Sequence, residues 1–275
     1  MRYGSSPFAM PPVVKNLLII NALFYVASIA LKAGLNIEIM DYLGLHLPMA
    51  EKFGAHQLIT YMFLHAYPDP SHIFFNMFAL FMFGRMLETV WGPKRFLLYY
   101  MVTGVGAGII HLIVQYFEVQ PVLEAITFYM NNASPENLQA FLSQWYRVPS
   151  PGFGSFVDQY NALLYTNPDM AIALSKEFVY NYRAEYLNAY VTVGASGAVF
   201  GILLAFGMLF PNTVLFLMFP PIPIKAKYFV IIYGVLELFM GVSNFSGDNV
   251  AHFAHLGGML FGFVLIKYWQ KKGIY

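Results

Sequence analysis

The chain has 275 residues, of which 59% are hydrophobic, 18% aromatic and 11% charged. Soluble domains carry about 25% charge, so this chain could not clothe a soluble globule, and its apolar content excludes intrinsic disorder. A formal net charge of +1 leaves no basic surplus for nucleic acid, and the absence of cysteine excludes disulfides, thiolate catalysis and cysteine-held metal or iron–sulfur centres.

The composition is that of a polytopic membrane protein, with room for roughly five to seven helical spans. The opening segment MRYGSSPFAMPPVVK lacks a short apolar core followed by a small-residue cleavage site, so span one is expected to act as its own membrane signal. Six apolar stretches follow, at approximately 13–33, 71–90, 95–117, 192–211, 225–243 and 250–268. Pro11-Pro12 precedes the first. The second ends with Arg85 and Glu88, whose i,i+3 spacing permits pairing. Pro220, Pro221 and Pro223 break the chain before the fifth.

Between spans one and two, residues 34–70 form a first external loop whose apolar but interrupted segments predict amphipathic interfacial helices. Residues 118–190 hold seven acidic and three basic residues and no span-length apolar run. Ser134-Pro135-Glu136 and Asn167-Pro168-Asp169 each read as an N-cap, a proline at the first helical position and an early acid. An extracytoplasmic helical insertion is expected there, either a lid or a docking surface. Short basic clusters such as Lys94-Arg95 and Lys271-Lys272 fall on the side holding both termini, which predicts cytoplasmic termini.

Ionisable and polar groups within spans are costly and are functional candidates by default. Three clusters have telling spacing. Gly194-Ala195-Ser196-Gly197 opens span four, where a serine meets the unpaired N–H groups and positive dipole end of a helix N-terminus. The same glycines, with Gly201, also suit a small-residue helix contact. Ala254-His255-Leu256-Gly257-Gly258 lies in span six, with His255 one turn before a Gly258/Gly262 edge. That edge predicts close packing against the bare 194–201 surface, which would bring His255 to Ser196 as base to nucleophile. His255 could equally serve as a helix staple. His72 and Asn76, at i,i+4 in span two, share a face and supply N–H donors suited to an oxyanion, or to an interhelical bond. Glu237, alone in span five, is not expected to join the site. His252 and His255 are spaced i,i+3, yet no third metal ligand is apparent.

HIFFN, GASGAVFG and AHLGGMLFG, in that order on three spans, resemble the rhomboid family of intramembrane serine proteases. The resemblance implies a Ser196–His255 catalytic dyad, an oxyanion held by His72, Asn76 and the Ser196 backbone, and Phe200 stacked on the histidine. Two features depart from the family. Residues 34–70 contain neither Trp nor Arg, where a Trp-Arg pair is common, and 118–190 far exceeds a short third loop.

The expected fold is all-α, a rhomboid-like bundle of six transmembrane helices. Residues 1–117 would carry helices 1–3, 118–190 the insertion, and 191–275 helices 4–6. The expected function is cleavage of transmembrane segments of membrane-protein substrates within the lipid bilayer, without cofactor, metal or nucleic acid. A catalytically inactive relative that binds transmembrane helices is the alternative. A bacterial inner membrane is the expected location.

Overall fold

The computed structural model describes residues 10–216, 221–243 and 250–274. All six expected stretches are helical: α1 (Pro12–Leu35), α2 (Ser71–Trp91), α3 (Pro93–Asn131), α7 (Ser196–Leu209), α8 (Ala226–Ser243) and α9 (His252–Lys271). Between α3 and α7 lie α4 (Pro135–Trp145), α5 (Phe153–Leu164) and α6 (Pro168–Ala189). The protein is an all-α helix bundle. Helices α1, α2, α3 and α8 are long and apolar enough to cross a membrane, while α7 is apolar but only 14 residues long.

The chain folds as two compact units. The first comprises residues up to Leu45, Ala55–Leu112, and those from Thr192 onward; the second comprises His46–Gly54 and Ile113–Val191. In the first unit, α1 begins with Pro12 at its first position, as the sequence suggests, but no side chain of its own caps it. Glu88 of α2 does so from a distance, accepting hydrogen bonds from the backbone N–H groups of Val13 and Val14 at 2.9 and 2.8 Å. A single carboxylate thereby satisfies two of the N–H groups that every helix start leaves orphaned. In the middle of α2, residues Leu80–Gly84 widen into a π-helical turn. Farther along, Trp91, Tyr99 and Trp269 form an aromatic cluster with ring centroids 4.9–6.1 Å apart.

Close helix packing in this unit depends on absent side chains. A Cβ at Gly201 would lie 2.7 Å from Thr103, and one at Gly257 would lie 2.8 Å from Ile110. Gly258 meets Gly197 backbone to backbone, as its spacing predicts. Gly262 instead turns to α3, where a Cβ would come 2.2 Å from the Tyr99 hydroxyl. That hydroxyl donates to the Gly201 carbonyl at 2.8 Å, tying α3 to α7.

Two local expectations need correction. The 34–70 loop forms only one-turn helices, Met40–Leu43 and Gln57–Thr60, with a 3-10 turn at Tyr61–Phe63. Its apolar side chains Leu45, Tyr61, Met62 and Leu64 are buried rather than interfacial. Helix α3 runs past Glu118 and through Pro121 to Asn131, because hydropathy marks where an apolar run ends, not where a helix ends. Of the prolines before α8, Pro220 lies outside the described residues. Val214–Phe216 and Pro223–Lys225 pair as an antiparallel ribbon, with Leu215 opposite Ile224.

Within the second unit both expected caps are present: Ser134 accepts from the Asn137 N–H and Asn167 from the Met170 N–H, each at 3.2 Å. Helices α4–α6 pack through aromatic rings, with Phe156 and Phe178 stacked at 4.1 Å. The buried Tyr182 hydroxyl accepts from the Arg147 N–H at 2.7 Å, fixing the segment that follows α4. Helix α5 carries no side-chain cap, which is why sequence grammar does not reveal it.

Candidate active site

Ser196 is the first residue of α7, so its hydroxyl stands beside N–H groups that have no intrahelical partner. Gly194, two residues earlier, has φ +131°, a conformation L side chains rarely adopt. A Cβ there would also lie 2.9 Å from His72 Nε2, so only glycine lets the imidazole approach. The Gly194 N–H donates to the Tyr61 carbonyl at 3.0 Å, which anchors the turn that presents Ser196.

His255, 7% exposed, sits in the first turn of α9. Its Nε2 is 2.8 Å from Ser196 Oγ. The packing that permits this approach is the Gly258–Gly197 contact, one turn farther along α9. Phe200 stacks on the His255 ring at 4.2 Å and 7°, restricting its rotation from one face.

His72 lies across the turn. The Ala66 N–H donates to its Nδ1 at 3.2 Å. An Nδ1 that accepts leaves the ring proton on Nε2, the atom that faces Gly194, two residues before the serine. His72 is therefore set as a donor. Asn76, buried one turn on, uses one amide N–H on the His72 carbonyl at 2.8 Å and retains a second. His65 packs edge-on to the His72 ring at 5.1 Å, and burial together with His72 holds its pKa down to about 3.

Glu237 of α8 is the residue the sequence did not reveal. Its Oε2 is 2.8 Å from His255 Nδ1 and 2.7 Å from His252 Nδ1. The expectation that Glu237 stays outside the site is thus overturned. So is the absence of a third potential metal ligand, since the ligand atoms of Glu237, His252 and His255 lie within 4.8 Å of one another. The available signal was Glu237 itself, the sole acid of α8. What the sequence lacks is any indication of which face of α8 turns to α9.

The family model for the rhomboid domain matches residues 52–122 and 161–271. The chain is also 28% identical over 205 residues to RHOMBOID-like protein 12, mitochondrial, of Arabidopsis thaliana. That alignment covers 74% of this chain but 43% of the plant protein, so the chain spans less than half of that relative's length. The two matched stretches contain His72 and Asn76 in one and Ser196, Glu237 and His255 in the other. With a match over most of its length, the chain belongs to the rhomboid family.

Proposed function

We propose that this integral membrane protein is an intramembrane serine endopeptidase that cleaves transmembrane segments of membrane-protein substrates. The observation that carries this reading is the 2.8 Å approach of Ser196 Oγ to His255 Nε2, beneath the stacked Phe200 ring.

In this mechanism Ser196 Oγ attacks the scissile carbonyl carbon while His255 Nε2 removes the hydroxyl proton. The resulting oxyanion is held by the Ser196 N–H, His72 Nε2–H and the second Asn76 amide N–H. His255 then passes its proton to the departing amine, leaving an acyl-serine. Water enters, gives a proton to His255 and attacks the ester, and the proton returns to Ser196 as the acid product leaves. A helical peptide bond is already hydrogen-bonded and screened, so substrates whose helices unwind easily near the serine are favoured. We infer cytoplasmic termini from the basic clusters, a bacterial inner membrane as the location, and an extracytoplasmic position for the 118–190 insertion.

A fluorophosphonate probe should label the wild-type chain and not Ser196→Ala. Cleavage of a transmembrane model substrate should be lost in both Ser196→Ala and His255→Ala. Cleavage retained by both variants would remove the proposed dyad. A wild-type chain that binds the substrate helix without labelling or cleavage would instead be an inactive helix-binding relative.

A further inference from the structure

We propose that Glu237 is a positioning residue for catalysis, turning the serine–histidine pair into a Ser196–His255–Glu237 triad with His252 steadying the carboxylate. This assignment rests on the protease function proposed above and adds to it.

A carboxylate can only accept hydrogen bonds, so an imidazole nitrogen at 2.8 Å from Glu237 Oε2 must carry the hydrogen. With its hydrogen on Nδ1, His255 turns the lone pair of Nε2 toward Ser196 Oγ, which is the form a general base needs. The opposite tautomer would present an N–H to the serine and could not take its proton. Phe200 restricts the ring from one face, but stacking cannot choose between tautomers. Glu237 can.

The carboxylate also acts after proton transfer. His255 becomes an imidazolium at a position only 7% exposed, where water offers it little solvation. The Glu237 charge in direct contact compensates that new charge. His252 donates from Nδ1 to the same oxygen at 2.7 Å, holding Oε2 in place for His255. Glu237, His252 and His255 are all buried, so little solvent competes for these bonds.

A helix staple between α8 and α9 would show the same contacts, so the test must separate positioning from stability. The full chain, in lipid nanodiscs, is compared as wild type, Glu237→Gln and Glu237→Asp for cleavage of a transmembrane model substrate. Thermal unfolding is measured alongside. Glu237→Gln keeps the shape but loses the charge, and kcat should fall by about 10²- to 10⁴-fold with KM within about twofold, on the scale of comparable amide substitutions in serine proteases. Fluorophosphonate labelling of Ser196 should slow in parallel, and Glu237→Asp should recover about tenfold or more of the lost kcat. If Glu237→Gln does not fold, Glu237→Asp decides: lowered kcat at an unchanged unfolding temperature supports positioning. A Glu237→Gln enzyme within about threefold of wild type overturns the proposal. Losses in both variants that merely track unfolding temperature overturn it too. Wild-type cleavage that survives Ser196→Ala would overturn the protease reading instead, a result distinct from either.

Discussion

Gly258 of α9 faces Gly197 of α7 so closely that a methyl group at 258 would stand 1.9 Å from the Gly197 carbonyl oxygen. The obstacle is backbone, which cannot swing aside as a side chain tip can. Ser196 precedes Gly197 and His255 lies one turn before Gly258, so this contact sets the Ser196–His255 separation across which the proposed proton transfer would run. Gly258→Ala should force the helices apart and lengthen the 2.8 Å approach. A misplacement of about 1 Å costs on the order of 10²-fold in rate. Cleavage kinetics should show that loss in kcat, together with a lower unfolding temperature. Wild-type kinetics in Gly258→Ala would mean that another contact sets the separation.

The cap that Glu88 supplies to α1 gives a second prediction, on stability rather than chemistry. Glu88→Ala leaves the Val13 and Val14 N–H groups without their acceptor beside the buried Val14 side chain. Hydrogen bonds to charged groups contribute about 1.5–3 kcal/mol each. Denaturant unfolding of the purified chain should detect destabilisation of that order. Fluorophosphonate labelling of the folded fraction should be unaffected, because Glu88 touches none of the reacting groups.

These two relationships differ in how far the sequence exposed them. The Gly258–Gly197 contact is legible because a helix repeats every 3.6 residues, so glycine spacing shows which residues share a bare edge. The same logic exposes His72 with Asn76. The caps at Ser134 and Asn167 are legible because capping chemistry is local. Glu88 reaching Val13 and Glu237 reaching His252 and His255 are not. Each joins two helices, and the rotation of one helix against another depends on the packing of the whole unit. A carboxylate also looks alike in sequence whether it faces a loop, a cap or an imidazole. Helix α5 is not legible for a related reason, since its N-cap position is Gly152, which has no side chain to cap it.

The two side chains proposed as oxyanion donors should separate by role. His72 Nε2–H is fixed as a donor by the Ala66 N–H on its other nitrogen. Asn76 already spends one N–H within its own helix. Asn76→Ala should lower kcat by about 10²-fold or less, the range for loss of one such donor. His72→Ala should cost at least as much, and should also release the turn before Ser196 that the ring packs against. Unchanged turnover in Asn76→Ala would remove that residue from the oxyanion site.

Acid should weaken the protein partly through His65, which lies in the loop before α2. Burial and the His72 ring lower its pKa in the folded chain from 6.5 to about 3. Between those values the unfolded chain binds a proton that the folded chain refuses, so stability rises with pH across the window and is lost as pH falls from about 6.5 toward 3. The slope is at most that of one proton. His65→Leu removes this contribution, so its unfolding should depend less steeply on pH below 6.5 than that of the wild type. An identical pH dependence in both proteins would rule His65 out as a source of acid sensitivity.

Metal dependence provides the last prediction. Glu237, His252 and His255 gather the donor types that zinc favours. Their spacing argues for hydrogen bonds. Ligand atoms around a tetrahedral zinc, each bonded at about 2.0–2.1 Å, stand roughly 3.3 Å apart. Glu237 Oε2 is 2.7 and 2.8 Å from the two imidazole nitrogens, the span of an N–H donating to a carboxylate. A metal there would also take the Nδ1 lone pair of His255 and displace the hydrogen that orients it. Cleavage should therefore persist at full rate in the presence of a divalent-metal chelator, while Ser196→Ala remains inactive under the same conditions. Activity that vanished with chelator and returned with added zinc would replace the serine mechanism by a metal-assisted one built on the same three side chains.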